Sequence, residues 1–128
     1  MHYLTIEEIL LIHFSIITEF QPYQNLFNIV NPDGLESAIG RPQQTFGGED
    51  VHQEIFSKAA ALTHSLTENH PFQDGNKRVG ITAGCVFLLA NGYSTEVSDD
   101  EIYTAAMNTS NGIWKVPELK DWFERHFC

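Results

Sequence analysis

The chain has 128 residues, 42% of them apolar and 19% charged, which fits one soluble domain (residues 1–128) able to bury a core without disulfides or a structural metal. Its formal net charge is −10, with 7 Lys and Arg against 17 Asp and Glu; nucleic-acid affinity rests on clustered cations, so direct nucleic-acid binding is not expected. The chain does not open on a basic stretch followed by an apolar run, and its apolar segments fall short of the ~20 residues a bilayer demands, so a cytoplasmic protein without a membrane partner is expected.

The first element is a helix. Thr5 and Glu8 have the spacing of a capping box, and Ile6, Ile9, Leu10, Ile16, Ile17 and Phe20 recur on one face. His13 falls on that face, where a hydrogen-bonded core role is the ordinary one. From Gln21 to Asn31 the sequence is polar and aromatic, ending in the turn signal Asn31-Pro32-Asp33-Gly34. A short helix is predicted over Leu35–Ile39, stopped by Gly40. Arg41 to Gly48 carries one Pro and two Gly around an extended centre and reads as a loop or a small β-hairpin flap.

Asp50 is read as the cap of a second long helix that buries Ile55, Ala59, Leu62 and Leu66 and ends near Asn69, before Pro71. A third long helix is predicted from about Asn76 to Asn91, apolar nearly all round and therefore central, with Gly92 as its stop. Ser98 and Glu101 form another capping box opening a helix to about Asn108, and Pro117 suits the first turn of a last helix bearing Leu119, Trp122 and Phe123. The two cysteines, Cys85 in an apolar helical run and Cys128 at the last position, give no motive for a disulfide. The predicted fold is all-α, about six helices around one buried central helix, with a short flap.

The run His70-Pro71-Phe72-Gln73-Asp74-Gly75-Asn76-Lys77-Arg78 carries the chemistry. A tight loop here leads into the buried helix, whose first turn offers free N–H groups and a partial positive charge, an anion site and above all a phosphate site. Gly75 permits unusual backbone angles and close approach of a ligand. Lys77 and Arg78 place two of the seven cations in that same turn, where they are locally unfavourable unless an anion compensates them. Asp74 is either a simple N-cap or a ligand for the Mg²⁺ that accompanies nucleotide phosphates. His70 is placed to take a proton from a hydroxyl near neutral pH, with a structural hydrogen bond as its plain alternative. Phe72 reads as a core anchor for the loop. His52, His64 and His70 are too irregularly spaced for a zinc site, and the sequence holds no G-x-x-x-x-G-K-[ST], H-E-x-x-H or Gly-x-Ser-x-Gly motif.

These nine residues resemble the signature loop of Fic/Doc (Fido-fold) proteins. The similarity extends to Gly34–Gly48, which resembles the segment before the flap in death-on-curing (Doc) proteins, to the opening LTIEEILLIH and to VFLLANGY after the loop, and the short chain resembles the Doc branch. The resemblance implies a single Fido-type domain with ATP as co-substrate. It further implies His70 as general base, Asp74 as the Mg²⁺ ligand, Gly75, Asn76 and Lys77 as the anion-binding turn, and Arg78 as a phosphate grip. AMP-transferring Fic enzymes usually carry Gly in place of Lys77 and a second Arg in place of Ile81. The Lys form resembles Doc toxins, which transfer a terminal phosphate to elongation factor Tu. The resemblance therefore implies a kinase-like toxin acting on a Ser or Thr of a protein target, with nucleotidyl transfer (AMPylation) and a non-catalytic binding module as alternatives. Ser15–Glu19 and Thr45–Glu49 match the family's self-inhibitory pattern only in part, since Phe20 and Asp50 follow them. A separate antitoxin is the implied inhibitor.

Overall fold

The computed structural model describes residues 1–20 and 29–128, with the side chains of residues 19 and 20 left aside. The polar and aromatic run beginning at Gln21 lies outside the described residues as far as Asn28. The order of elements is α1 (Ile6–Phe20), α2 (Pro32–Gly40), a 3₁₀ turn (Arg41–Gln43), β1 (Thr45–Phe46), β2 (Glu49–Asp50), α3 (Ile55–Asn69), α4 (Asn76–Ala90), α5 (Asp99–Ser110) and α6 (Val116–His126). The all-α reading holds, and the flap is an antiparallel hairpin pairing Thr45 with Asp50 and Phe46 with Glu49. Gly47 and Gly48, at φ +62° and +84°, make its turn, a conformation that side chains with a Cβ resist.

The capping boxes form as their spacing predicts. The Glu8 N–H donates to Thr5 Oγ1 at 3.2 Å while the Thr5 N–H donates to Glu8 Oε1 at 2.9 Å, and Ser98 with Glu101 repeats the arrangement at α5. Asp50 does not cap α3. It belongs to β2, and Glu54 stands at the helix start. A stronger demand takes its carboxylate: Lys58 is 2% exposed, and its ammonium donates at 3.0 Å both to Asp50 Oδ2 and to the Pro42 carbonyl. A buried ammonium is costly unless it is fully paired, so the flap and the 3₁₀ turn are both drawn onto α3.

The centre of the fold, expected of α4, is shared between α4 and α3. These helices run antiparallel at very close range. A Cβ built on Gly80 would lie 2.5 Å from Thr67 Oγ1 and 2.9 Å from the Thr63 carbonyl. One on Gly84 would strike Thr63 Oγ1 and sit 2.6 Å from Phe123 Cζ. Small residues at i and i+4 thus let the two backbones meet, and Phe87, Leu88, Leu62 and Leu66, all at most 2% exposed, close the core around them. α6 adds Leu119, Trp122 and Phe123 against α3. Beyond α4 the chain end pairs with the segment after Gly92, Ser94 and Cys128 exchanging backbone bonds of 2.8 and 3.0 Å. Both cysteines are unbridged. Burial pushes the Cys85 thiol up to about 12. Among the described residues no helix is long and apolar enough to cross a membrane.

Gly84→Ala is expected to lower stability by about 1–3 kcal/mol, even though Ala is the better helix former by ~1 kcal/mol; the urea midpoint should fall at an unchanged denaturant slope. Burial holds the His13, His52 and His64 imidazoles below their ordinary value of 6.5, helped at His52 by Arg41 and Lys58 and opposed at His13 by its bond to the Asp74 carbonyl and at His64 by Glu68. The unfolded chain therefore binds protons that the fold refuses, and stability falls as pH drops through 6.5. This loss precedes the one expected as Glu8 and Glu101, held below 4.5 chiefly by backbone hydrogen bonds from Thr5 and Ser98, take up protons. Thermal melts between pH 7.5 and 5 should register it.

Candidate active site

α3 ends and α4 begins within six residues, 70–75, and both junctions use left-handed backbone. His70 sits at φ +46°, ψ +57° and Gly75 at φ +84°. Among the described residues His70 is the sole non-glycine with positive φ, a conformation costing about 1–2 kcal/mol at an ordinary side chain. The turn is held from three sides. Phe72, 1% exposed, anchors it in the core as expected. The Asn76 side chain clamps it, accepting from the Phe72 N–H at 2.9 Å and donating to the Phe72 carbonyl at 2.8 Å. The incoming chain braces it: the Val30 and Asn31 amides donate to the Pro71 carbonyl at 2.9 and 3.1 Å, and Asn31 Nδ2 donates to the Asn69 carbonyl at 2.9 Å.

The loop and the first turn of α4 line a cavity of about 520 Å³. Its walls include every residue singled out from the sequence, namely His70, Asp74, Gly75, Asn76, Lys77 and Arg78. Among the described residues no side chain caps the helix N-terminus, so its positive end is presented to the cavity. Asp74 is not the cap. The capping position belongs to Gly75, and Asp74 Oδ1 accepts the Gly75 N–H at 2.9 Å just outside the helix. Lys77 is exposed, its Nζ 3.4 Å from Met107 Sδ. The Asn76 side chain is spent on Phe72, so only its backbone is left to bind an anion.

Sequence reasoning missed Ile16, Ile17, Thr67, Glu68 and Ser110, which also line the cavity. Glu68 had a readable signal. It stands in the last turn of α3, where the helix dipole disfavours an acid, just as Lys77 and Arg78 stand where it disfavours cations. Glu68 lies 4.0 Å from His64 one turn earlier. The other four carry no such anomaly and enter the site only through the fold. Ile81, one turn after Lys77, is not in this cavity: it is fully buried, against Ile102, Ala106 and Met107 of α5.

The Fic/DOC family model matches residues 3–88, two thirds of the chain and all of the loop. The chain belongs to the Fic/DOC family. Two curated relatives to which it is similar are Doc proteins. It is 26% identical to the protein kinase Doc of Escherichia phage P1 over 126 residues, covering 98% of this chain and 95% of that one. It is 47% identical to the toxin Doc of Mycolicibacterium smegmatis over 58 residues, so that this alignment spans 45% of each chain.

The left-handed His70 yields a structural prediction. His70→Gly should relieve backbone strain and raise stability by roughly 0.5–1 kcal/mol, the gain being tempered by the greater freedom of Gly in the unfolded chain. Thermal melting should show it as a rise of a few degrees.

Proposed function

We propose that this Fic/DOC chain is a Doc-type toxin that transfers the terminal phosphate of ATP to a Ser or Thr hydroxyl of a protein target. The observation that carries this reading is the cavity wall itself: a histidine, a carboxylate and two cations gathered around one uncapped helix N-terminus. Phosphoryl transfer asks a protein chiefly for positioning and charge stabilisation, and that set supplies both. His70 takes the proton of the target hydroxyl. The hydroxyl oxygen bonds the γ-phosphorus, the bond from that phosphorus to the bridging oxygen breaks, and ADP leaves. Lys77, Arg78 and the first-turn backbone bind the anionic oxygens.

Among the described residues there is no cluster of three or more metal-ligating side chains, and Mg²⁺ needs none, because one or two carboxylates with phosphate oxygens and water satisfy it. Asp74 fits that requirement: it is exposed, and Oδ1 is fixed by the Gly75 N–H. When bound, Mg²⁺ would neutralise charge on the phosphates.

The choice of phosphate over nucleotide transfer rests on Lys77 and Ile81. Where AMP-transferring Fic enzymes place a second Arg, this chain has a fully buried aliphatic residue that does not line the cavity. The name of the phage P1 relative, protein kinase Doc, points the same way. Elongation factor Tu is the proposed target, the cytoplasm the proposed location, and a separate antitoxin the proposed inhibitor. The Thr45–Glu49 segment, a partial match to the self-inhibitory pattern, is taken up by the flap hairpin.

Incubation with a cell extract and Mg²⁺ plus ATP labelled at the γ position should label one protein, and His70→Ala should slow labelling by about 10²–10⁴-fold. Label arriving only from the α position would assign nucleotidyl transfer instead, and no label with no Mg²⁺-dependent ATP binding would assign a binding module.

A further inference from the structure

His13 is not adjacent in sequence to the loop, yet it is built into it. It is 2% exposed on the inner face of α1. Its ring stacks on Phe72 with centroids 3.9 Å apart and planes 12° from parallel. Its Nε2 lies 3.2 Å from the backbone carbonyl oxygen of Asp74. A carbonyl can only accept, so Nε2 is the protonated nitrogen, and Nδ1 is buried without a hydrogen-bond partner among the described residues.

The carbonyl of Asp74 and the N–H of Gly75 belong to one planar peptide unit. His13 holds its oxygen end, and the carboxylate of Asp74 holds its N–H end at 2.9 Å. The direction of the carboxylate is therefore set by the tilt of this plane, and the tilt is set by His13. α1 closes the alternatives on the same side: a Cβ at Gly75 would already be 3.3 Å from Ile17 Cδ1 and 4.0 Å from His13 Cδ2.

We infer that His13 is a positioning residue of the active site: through the Asp74–Gly75 peptide plane it aims the Asp74 carboxylate into the cavity, although it lines no part of the cavity itself. The inference rests on the proposed role of Asp74 toward Mg²⁺-nucleotide. Groups that orient a ligand from behind are worth about 10–100-fold in metal affinity or activity. His13→Phe keeps an aromatic ring to stack on Phe72 and removes the donor. His13→Gln keeps a donor at similar reach and loses the stack.

Three readouts on wild type and both variants decide the matter: thermal melting, the Mg²⁺ concentration giving half-maximal ATP binding by calorimetry, and hydrogen exchange of the Gly75 amide by NMR on ligand-free protein. The expected result is that His13→Phe remains folded, needs ~10–100-fold more Mg²⁺ and exchanges its Gly75 amide faster, while His13→Gln is restored in both toward wild type. Mg²⁺ dependence and Gly75 exchange unchanged in His13→Phe would overturn the inference. So would losses in the two variants that merely follow their melting temperatures, since that pattern marks a purely structural residue. If wild type itself binds no ATP with Mg²⁺, the functional reading fails separately, and Gly75 exchange alone decides whether His13 sets the peptide plane.

Discussion

Everything at the site depends on how closely α3 and α4 approach. With Gly80 against Thr67 and Gly84 against Thr63 there is no room for a Cβ between the two backbones. Helices that close, joined through only residues 70–75, cannot be linked by relaxed extended chain. The connection must reverse sharply at both ends, which is where His70 and Gly75 adopt left-handed backbone. The strain at His70 is thus a consequence of the core, offset by the packing of Phe72 and the two bonds of the Asn76 side chain. A histidine and a helix N-terminus come to share one cavity because the glycine contacts leave the chain no other course.

Electrostatics follow the same geometry. Two of the chain's seven cations stand at the positive end of α4, and Glu68 stands at the negative end of α3. Each placement opposes a helix dipole. The buried Lys58 is met within the fold by Asp50, the Pro42 carbonyl and the ring of Tyr3, 5.4 Å away.

Much of this was legible from residues alone. Capping boxes at Thr5 and Ser98, the glycine turn of the flap and the end of α3 before Pro71 are local chemistry, and local chemistry survives in sequence. The loop was legible for a different reason: its cations and glycine make poor sense as mere structure. What escaped was set by tertiary contact. Asp50 looked like a cap until a buried ammonium from a helix turn further on claimed it. Asp74 also looked like a cap, yet Gly75 takes that place because only it tolerates the reversed backbone. His13 read as an ordinary core histidine, and nothing in its neighbours announces a bond to a carbonyl 61 positions away. Ser110 and the two isoleucines of α1 reach the cavity only because α1 and α5 flank the start of α4.

The two thiols have a practical consequence. Maleimides and disulfide reagents attack the thiolate, and burial keeps Cys85 protonated at any ordinary pH. Cys128 is exposed and paired through its backbone to Ser94, beyond the C-terminal end of α4. A 15-residue helix spans about 22 Å, so a fluorophore on Cys128 would sit roughly that far from the loop. The native chain thus offers one chemically distinct attachment point, remote from the cavity and close enough for energy transfer to a labelled nucleotide.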